Sequence, residues 1–356
     1  MNITADIAAK LLAEYGISSI IEAVSSCRST DGKTILKIDV EARPPLVLKL
    51  FDSASRGWET TERQCVFIEH LRRNGIPTPE HYSRGGEYCL ERNVLGNRVF
   101  VTLEDFCGET PERLDEVLAR SAGELMARIH RISFRDNFKI GKPCESRAAA
   151  GFRAAYDKFV RLAKLAEDSQ IKSVRYPHRL VRKPELFGEI IDIYKRRLAA
   201  LDDIGGRLPH GAVHGDFSLN NFTLGQGAYV GRLTLFGFDS AGDDMLLSDM
   251  LLAGLSLAYD SPVDEGVDRR SLFAAFLDGY RSVCPLTHDE KVAACELFPA
   301  YNALSLSRVA NTPDSLEEIM LSGDNCDRAD AKLEEIYSLI TADARQLFAS
   351  ELFTKD

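Results

Sequence analysis

The sequence predicts an α+β protein of two lobes, and three observations carry that reading. At 356 residues the chain exceeds the ~250 to 300 residues at which a single core stops growing. Its first hundred or so residues hold five candidate strands and two helices, whereas the rest reads as helix interrupted by one short β segment. Hydrophobic residues make up 45% and charged residues 28% of the chain, the balance of a protein that buries a core. The expected units are a smaller N-terminal lobe over residues 1–103 and a larger, mostly helical C-terminal lobe over residues 104–356.

The elements follow in order. Ile3, Ile7, Leu11, Leu12 and Tyr15 fall at helical spacing and predict an amphipathic first helix. Three strands are expected around Ile20 to Val24, Thr34 to Val40 and Leu46 to Phe51, separated by turn formers at Asp31-Gly32 and Pro44-Pro45. In the third, Leu46, Leu48 and Leu50 share one face while Val47, Lys49 and Phe51 share the other. Lys49 thus stands on an otherwise apolar face. A helix from about Thr60 to Arg73, with Val66, Ile68 and Leu71 inward, stops at Asn74-Gly75. A hairpin with strands near Glu87 to Arg92 and Arg98 to Leu103 returns the chain to a linker at Glu104 to Gly108. From Glu112 the pattern is helical to His130, residues 145–204 read as basic helices, and a short β segment runs from Ala212 through Leu224, a turn at Gly225-Gln226-Gly227, and Val230 to Phe236. Everything after Met245 reads as helix.

Composition narrows the function. A net charge of −10 argues against a nucleic-acid surface, which needs clustered Lys and Arg to displace counterions from phosphates. No segment is apolar for long enough to span a membrane; the most apolar stretch, Met245 to Ala258, is short and holds Asp249. The N-terminal residues lack the basic start and apolar run of a signal peptide. Eight cysteines with no CxxC pair suggest neither a zinc site nor a disulfide framework, and fit the reduced thiols of a cytoplasmic protein.

The strongest chemical signal is the run from Val213 to Asn221, which contains H-x-D-x4-N. Phosphoryl transfer needs a carboxylate to orient and deprotonate the attacking hydroxyl, and a nearby amide oxygen for a metal that bridges the phosphates. Asp216 and Asn221 have that spacing. Upstream lie Lys49 on a strand, a helix carrying Glu59, Glu62 and Glu69, a hairpin and a linker; downstream lie Phe236-Gly237-Phe238-Asp239 and Ser248-Asp249-Met250.

In this order the chain resembles the aminoglycoside phosphotransferase family, which includes choline kinases and protein-kinase-like homoserine kinase. The resemblance implies a protein-kinase-like two-lobed fold and an ATP- or GTP-dependent, magnesium-assisted kinase of a small-molecule hydroxyl. It implies Asp216 as catalytic base, Asn221 as metal ligand, and Lys49 on the nucleotide phosphates with Glu62 as its nearest plausible acidic partner, although the expected register falls at Gln64. Leu103, Glu104, Asp105 and Phe106 would form the hinge, whose backbone meets the adenine edge. His214 would brace the loop, and Asp249 would tie it down. Acidic stretches at residues 260–268 and 324–335 lie where relatives bind their acceptors, so an amine-bearing acceptor is the expectation, against a plain solvated surface.

Two departures stand out. The loop from Ser25 to Gly32 holds one glycine, so it is no glycine-rich phosphate cradle, although its hydroxyls and Arg28 are available to phosphate. Where the family carries its metal-binding Asp, this chain has Gly237. Asp239, two residues on, is the expected substitute, because alternate residues of an extended segment point the same way. The alternative is a degenerate, pseudokinase-like nucleotide-binding or regulatory protein, which lacks the usual metal Asp and works by conformation or partner contact.

Overall fold

The computed structural model describes residues 3–30, 32–170, 179–225, 233–322 and 326–349, with residues 28–30 and 349 described by backbone alone. The predicted turn residues Asp31, Gln226 and Gly227, the start of the strand predicted from Val230, and residues 324 and 325 of the second acidic stretch lie outside them.

The N-terminal part comprises helix α1 (Ala5–Glu14), strands β1 (Ile21–Thr30), β2 (Lys33–Val40) and β3 (Leu46–Asp52), helix α2 (Trp58–Arg73), and strands β4 (Leu90–Val94) and β5 (Asn97–Asp105). The strands form one antiparallel sheet in the order β1-β2-β3-β5-β4. Its alternation decides everything about the cleft. Leu36 and Ile38 of β2 and Leu46, Leu48 and Leu50 of β3 are buried with Leu11 and Leu12 of α1 and with Tyr15 just after it, which leaves Lys33, Ile35, Val47 and Lys49 on the opposite face. The linker expected from Glu104 begins later, because Glu104 and Asp105 still pair with Val47 and Leu46 in β5. The hairpin turn is also tighter than predicted, at Leu95 and Gly96, both with positive φ. Helix α2 buries Phe67, Ile68 and Leu71, with Phe67 where Val66 was expected, and these join the core of the helical half.

The helical part runs α3 (Glu116–Arg135), α4 (Arg147–Ser169), α5 (Glu185–Ala199), β6 (His210–Val213), β7 (Phe222–Leu224), β8 (Leu233–Leu235), β9 (Gly242–Met245), α6 (Leu246–Asp260), α7 (Arg269–Val283), α8 (His288–Ala303), α9 (Leu306–Val309), α10 (Leu316–Ser322), α11 (Cys326–Thr341) and α12 (Arg345–Ala349). One predicted β segment is in fact two small sheets, β6 with β9 and β7 with β8. Asp115 caps α3 by accepting from Leu118 N at 2.7 Å. Helices α3 and α7 pack in close approach at Gly123 and Gly279: a Cβ on either would overlap a carbonyl of the facing helix, from Phe276 or Arg120. A second cluster joins α4, α5 and α11 around Phe159, Phe187 and Leu333. Among the described residues no helix is long and apolar enough to cross a membrane.

Candidate active site

Strand β6 delivers the predicted loop to the cleft. His214 is buried and braces it twice: its Nδ1 accepts from Asp216 N at 3.1 Å and its Nε2 donates to Phe236 O at 2.9 Å. Burial lowers the pKa of its imidazole, in keeping with a neutral ring that donates from one nitrogen and accepts at the other. Gly215 has φ 80°, and a Cβ there would overlap the Ser240 carbonyl, so the position requires glycine. Asp216 then turns toward the cavity, with Arg147 at 3.3 Å from its carboxylate. Asn221 donates from Nδ2 to Asp216 O at 2.6 Å, which fixes the two residues relative to each other.

Asp249 has a different partner from the one expected. Its carboxylate receives His130 Nε2 at 3.1 Å, and the other nitrogen of that ring meets Tyr280 Oη at 2.9 Å. The buried group therefore joins α6 to α3 and α7, and His130 is part of a core polar network.

Across the cleft, Lys49 is buried and its ammonium sits 2.9 Å from Glu104 and 3.8 Å from Asp239. The acidic partner is thus Glu104 of β5, and the assignment to Glu62 is corrected. Glu62 instead accepts backbone N–H bonds from Tyr88 at 2.9 Å and Cys89 at 2.7 Å, satisfying two donors just before β4. Glu104 also receives His81 Nε2 at 2.8 Å. Burial alone would raise its pKa, but Lys49 and His81 reverse the sign and hold it at about 2. Its side chain thus serves the lysine.

Two more hinge expectations change. Leu103 is fully buried on the core face, so it does not line the cleft. Asp105 N donates to Glu80 O and Phe106 N to Pro45 O, so both amides are already used. What faces the cavity is the run from Glu104 to Thr110.

Gly237 carries the largest departure. Its φ of 80° and ψ of 37° are left-handed, and a Cβ would overlap Asn221 Oδ1 and stand 2.9 Å from Asn221 Cγ. Asp239 does face the cleft, but it is paired with Lys33 of β2 as well as Lys49. Burial works against its charge, yet Lys49, Lys33 and Arg56 hold its carboxyl well below the usual carboxylate range. Gln64, where the family register expects the helix glutamate, donates from Nε2 to Asp239 O at 3.1 Å and Ala241 O at 2.7 Å. Arg56 donates to Gln64 Oε1 and to Asp239 O, the latter at 2.8 Å.

The donors do not make the metal site that the resemblance implies. Gly237 offers no ligand, Asp239 is committed to two lysines, and the Asn221 amide oxygen lies against Gly237. Among the described residues no group of three or more His, Cys, Asp or Glu side chains is arranged to hold a metal.

Two cavities meet at Asp216. One of about 580 Å³ lies between the lobes and is lined by Lys33, Lys49, Glu104, Phe106, Asn221 and Asp239. The other, about 310 Å³, lies on the helical side and is lined by Phe152, Asp249, Tyr259, Asp260 and Tyr301. Arg147, Asp216, Ser218 and Asn220 line both. Sequence reasoning missed Lys33, Arg56, His81 and Arg147. Lys33 was within reach, since it shares with Lys49 the strand face that points away from the core; Arg56 and His81 come from loops, and Arg147 from the first residue of α4, whose placements no periodicity encodes.

Several solved structures share this fold. An amicoumacin kinase solved with AMP-PNP, Ca²⁺ and Ami shares 16% identity over 92% of each chain, with a TM-score of 0.56. A microcompartment-associated aminopropanol kinase shares 14% over 98% of this chain and 99% of its own, at 0.57. An aminoglycoside phosphotransferase of Alicyclobacillus acidocaldarius shares 15% over 90% and 92%, at 0.53. At these identities the likeness is one of fold. No curated protein matches by sequence. Residues 29–286, however, match the model of the phosphotransferase enzyme family known as APH, and with most of its length inside that match the chain belongs to this family.

Proposed function

We propose that the protein transfers the terminal phosphoryl group of ATP, or of GTP, to a hydroxyl of a small molecule. The observation that carries this is the position of Asp216 where the two cavities meet. A nucleotide in the larger cavity would run its base along Glu104 to Phe106 and its phosphates toward Lys49, and an acceptor in the smaller cavity would present its hydroxyl to the Asp216 carboxylate. The acceptor oxygen forms the new P–O bond, the bond to the bridging oxygen of the leaving diphosphate breaks, and the acceptor proton passes to Asp216. Asn221 holds the Asp216 backbone in place, while Lys49, kept charged and fixed by Glu104, meets the phosphates.

The resemblance implies magnesium beside Asn221 and Asp239, but the donors present do not form that site, and no step of this transfer runs through the metal. The fold neighbours act on amicoumacin and aminopropanol by their names, and Asp260 in the smaller cavity is compatible with an amine-bearing acceptor. Eight free cysteines suit a reducing compartment, and the cytoplasm is the proposed location.

The test is transfer of label from γ-labelled ATP or GTP to a panel of aminoglycosides, choline, homoserine and amino alcohols. With an accepted substrate, Asp216→Asn should lower the rate by about 10² to 10⁴ while nucleotide still raises the melting temperature. An activity that survives this substitution undiminished removes Asp216 as the base.

A further inference from the structure

The phosphate end of the cleft is rich in cations where the family has a metal carboxylate. Lys33, at the start of β2, pairs in register with Phe51 of β3, and Ile35 with Lys49, so both ammonium groups emerge on the cleft face. Arg56 follows β3 and stacks over Phe51, its guanidinium 4.5 Å from the ring centroid, while the Lys33 ammonium lies 5.5 Å from the same ring. One aromatic side chain thus sets the position of two cations. Arg56 is fixed further by donating from Nε to Thr61 Oγ1 at 2.9 Å and from Nη2 to Asp239 O at 2.8 Å. Around Asp239 stand Lys33, Lys49 and Arg56, and one carboxylate cannot neutralise three cations. Glu104, the other acid within reach, is shared between Lys49 and His81.

We propose that Lys33 and Arg56, together with Lys49, take the nucleotide phosphates directly, with the Asp239 carboxylate the anion that the phosphates displace, so that nucleotide binds without a divalent metal. This rests on the nucleotide-binding reading above. Gly237 supplies the second, independent half of the case: its left-handed backbone and the Asn221 amide beside it leave no space for the family's metal ligand. Phosphate oxygens exchange for the Asp239 carboxylate as partners of the same ammonium groups, an anion-for-anion replacement that leaves the cations paired throughout.

Calorimetric titration of ATP and of GTP into the full chain, once in EDTA and once in excess magnesium, tests this. The expected result is that the affinity of at least one nucleotide in EDTA stays within about tenfold of that in magnesium, the equivalent of a single tenfold step per 1.4 kcal/mol. Lys33→Met and Arg56→Met should each weaken metal-free binding by about tenfold or more, the scale of a charge-assisted hydrogen bond. Asp239→Asn separates the two readings by sign: removal of a competing anion strengthens or preserves metal-free binding, whereas removal of a metal ligand weakens binding in magnesium and leaves the EDTA value alone. Binding that needs magnesium by about a hundredfold or more, or that falls on Asp239→Asn only when magnesium is present, overturns the inference and leaves the nucleotide reading standing. No binding of either nucleotide under either condition overturns both.

Discussion

Gly237→Asp puts back the carboxylate that the family carries, and the structure says it should do harm. Residue 237 sits at φ 80° and ψ 37°, a region that costs a residue with a Cβ roughly 1–2 kcal/mol. The added Cβ also overlaps the Asn221 side chain. Asn221 must then rotate away and give up the 2.6 Å bond from Nδ2 to the Asp216 carbonyl, a loss of about 0.5–1.5 kcal/mol. Together these come to about 1.5–3.5 kcal/mol of lost stability. Unfolding entropy of roughly 2.1 cal/mol/K per residue gives a chain of this length about 750 cal/mol/K, so the melting temperature should fall by about 2–5 °C. Gly237→Ala separates backbone strain from charge. It lacks the carboxylate and should lose at least as much, because Asp tolerates the left-handed region better than Ala. Both variants and the parent would be melted in EDTA and in magnesium. A Gly237→Asp protein as stable as the parent, or one stabilised by magnesium when Gly237→Ala is not, would refute the claim that the loop excludes this ligand.

Glu104 predicts an acid limb. Its folded-state pKa of about 2 lies below its ordinary value of 4.5, so its stabilising contribution is complete above about pH 4.5 and is lost as pH falls toward about 2, roughly 3 kcal/mol in all. Glu104→Gln should therefore melt lower than the parent at neutral pH and converge on it in acid; parallel curves down to the acid end would show that the Lys49 pair is not what sets that limb. Glu62→Gln tests the corrected assignment: it should cost about 1 kcal/mol through the weakened caps of Tyr88 and Cys89 and leave nucleotide affinity unchanged, and a large loss of affinity would return Glu62 to the phosphate site.

What the sequence disclosed follows from what alternation and spacing encode. The inward Leu46, Leu48 and Leu50 with Lys49 opposed, and the helical face of Leu11, Leu12 and Tyr15, are local periodicities, and the structure buries them as expected. The five-residue offset between Asp216 and Asn221 is also local, since a single turn closes it. The partner of Lys49 is not local. Glu104 lies 55 residues on, and its register depends on where β5 crosses β3, which the hairpin turn decides. With the turn at Leu95 and Gly96, β5 runs two residues past the predicted strand end, and that extension is what carries Glu104 into the sheet.

The same extension explains how this chain dispenses with the helix acid. A glutamate on α2 would tie Lys49 to a helix whose inner face belongs to the core of the helical half. Glu104 ties it instead to the neighbouring strand of its own sheet. Gln64, at the helix position, is left free to bond the backbone carbonyls of Asp239 and Ala241. An amide can donate to carbonyls where a carboxylate can only accept, so a glutamate at position 64 would leave those two carbonyls without that donor. Positions 64 and 104 thus do complementary work: the amide holds the segment after Gly237 against α2, and the acid, placed on the sheet, keeps Lys49 charged and aimed at the cleft.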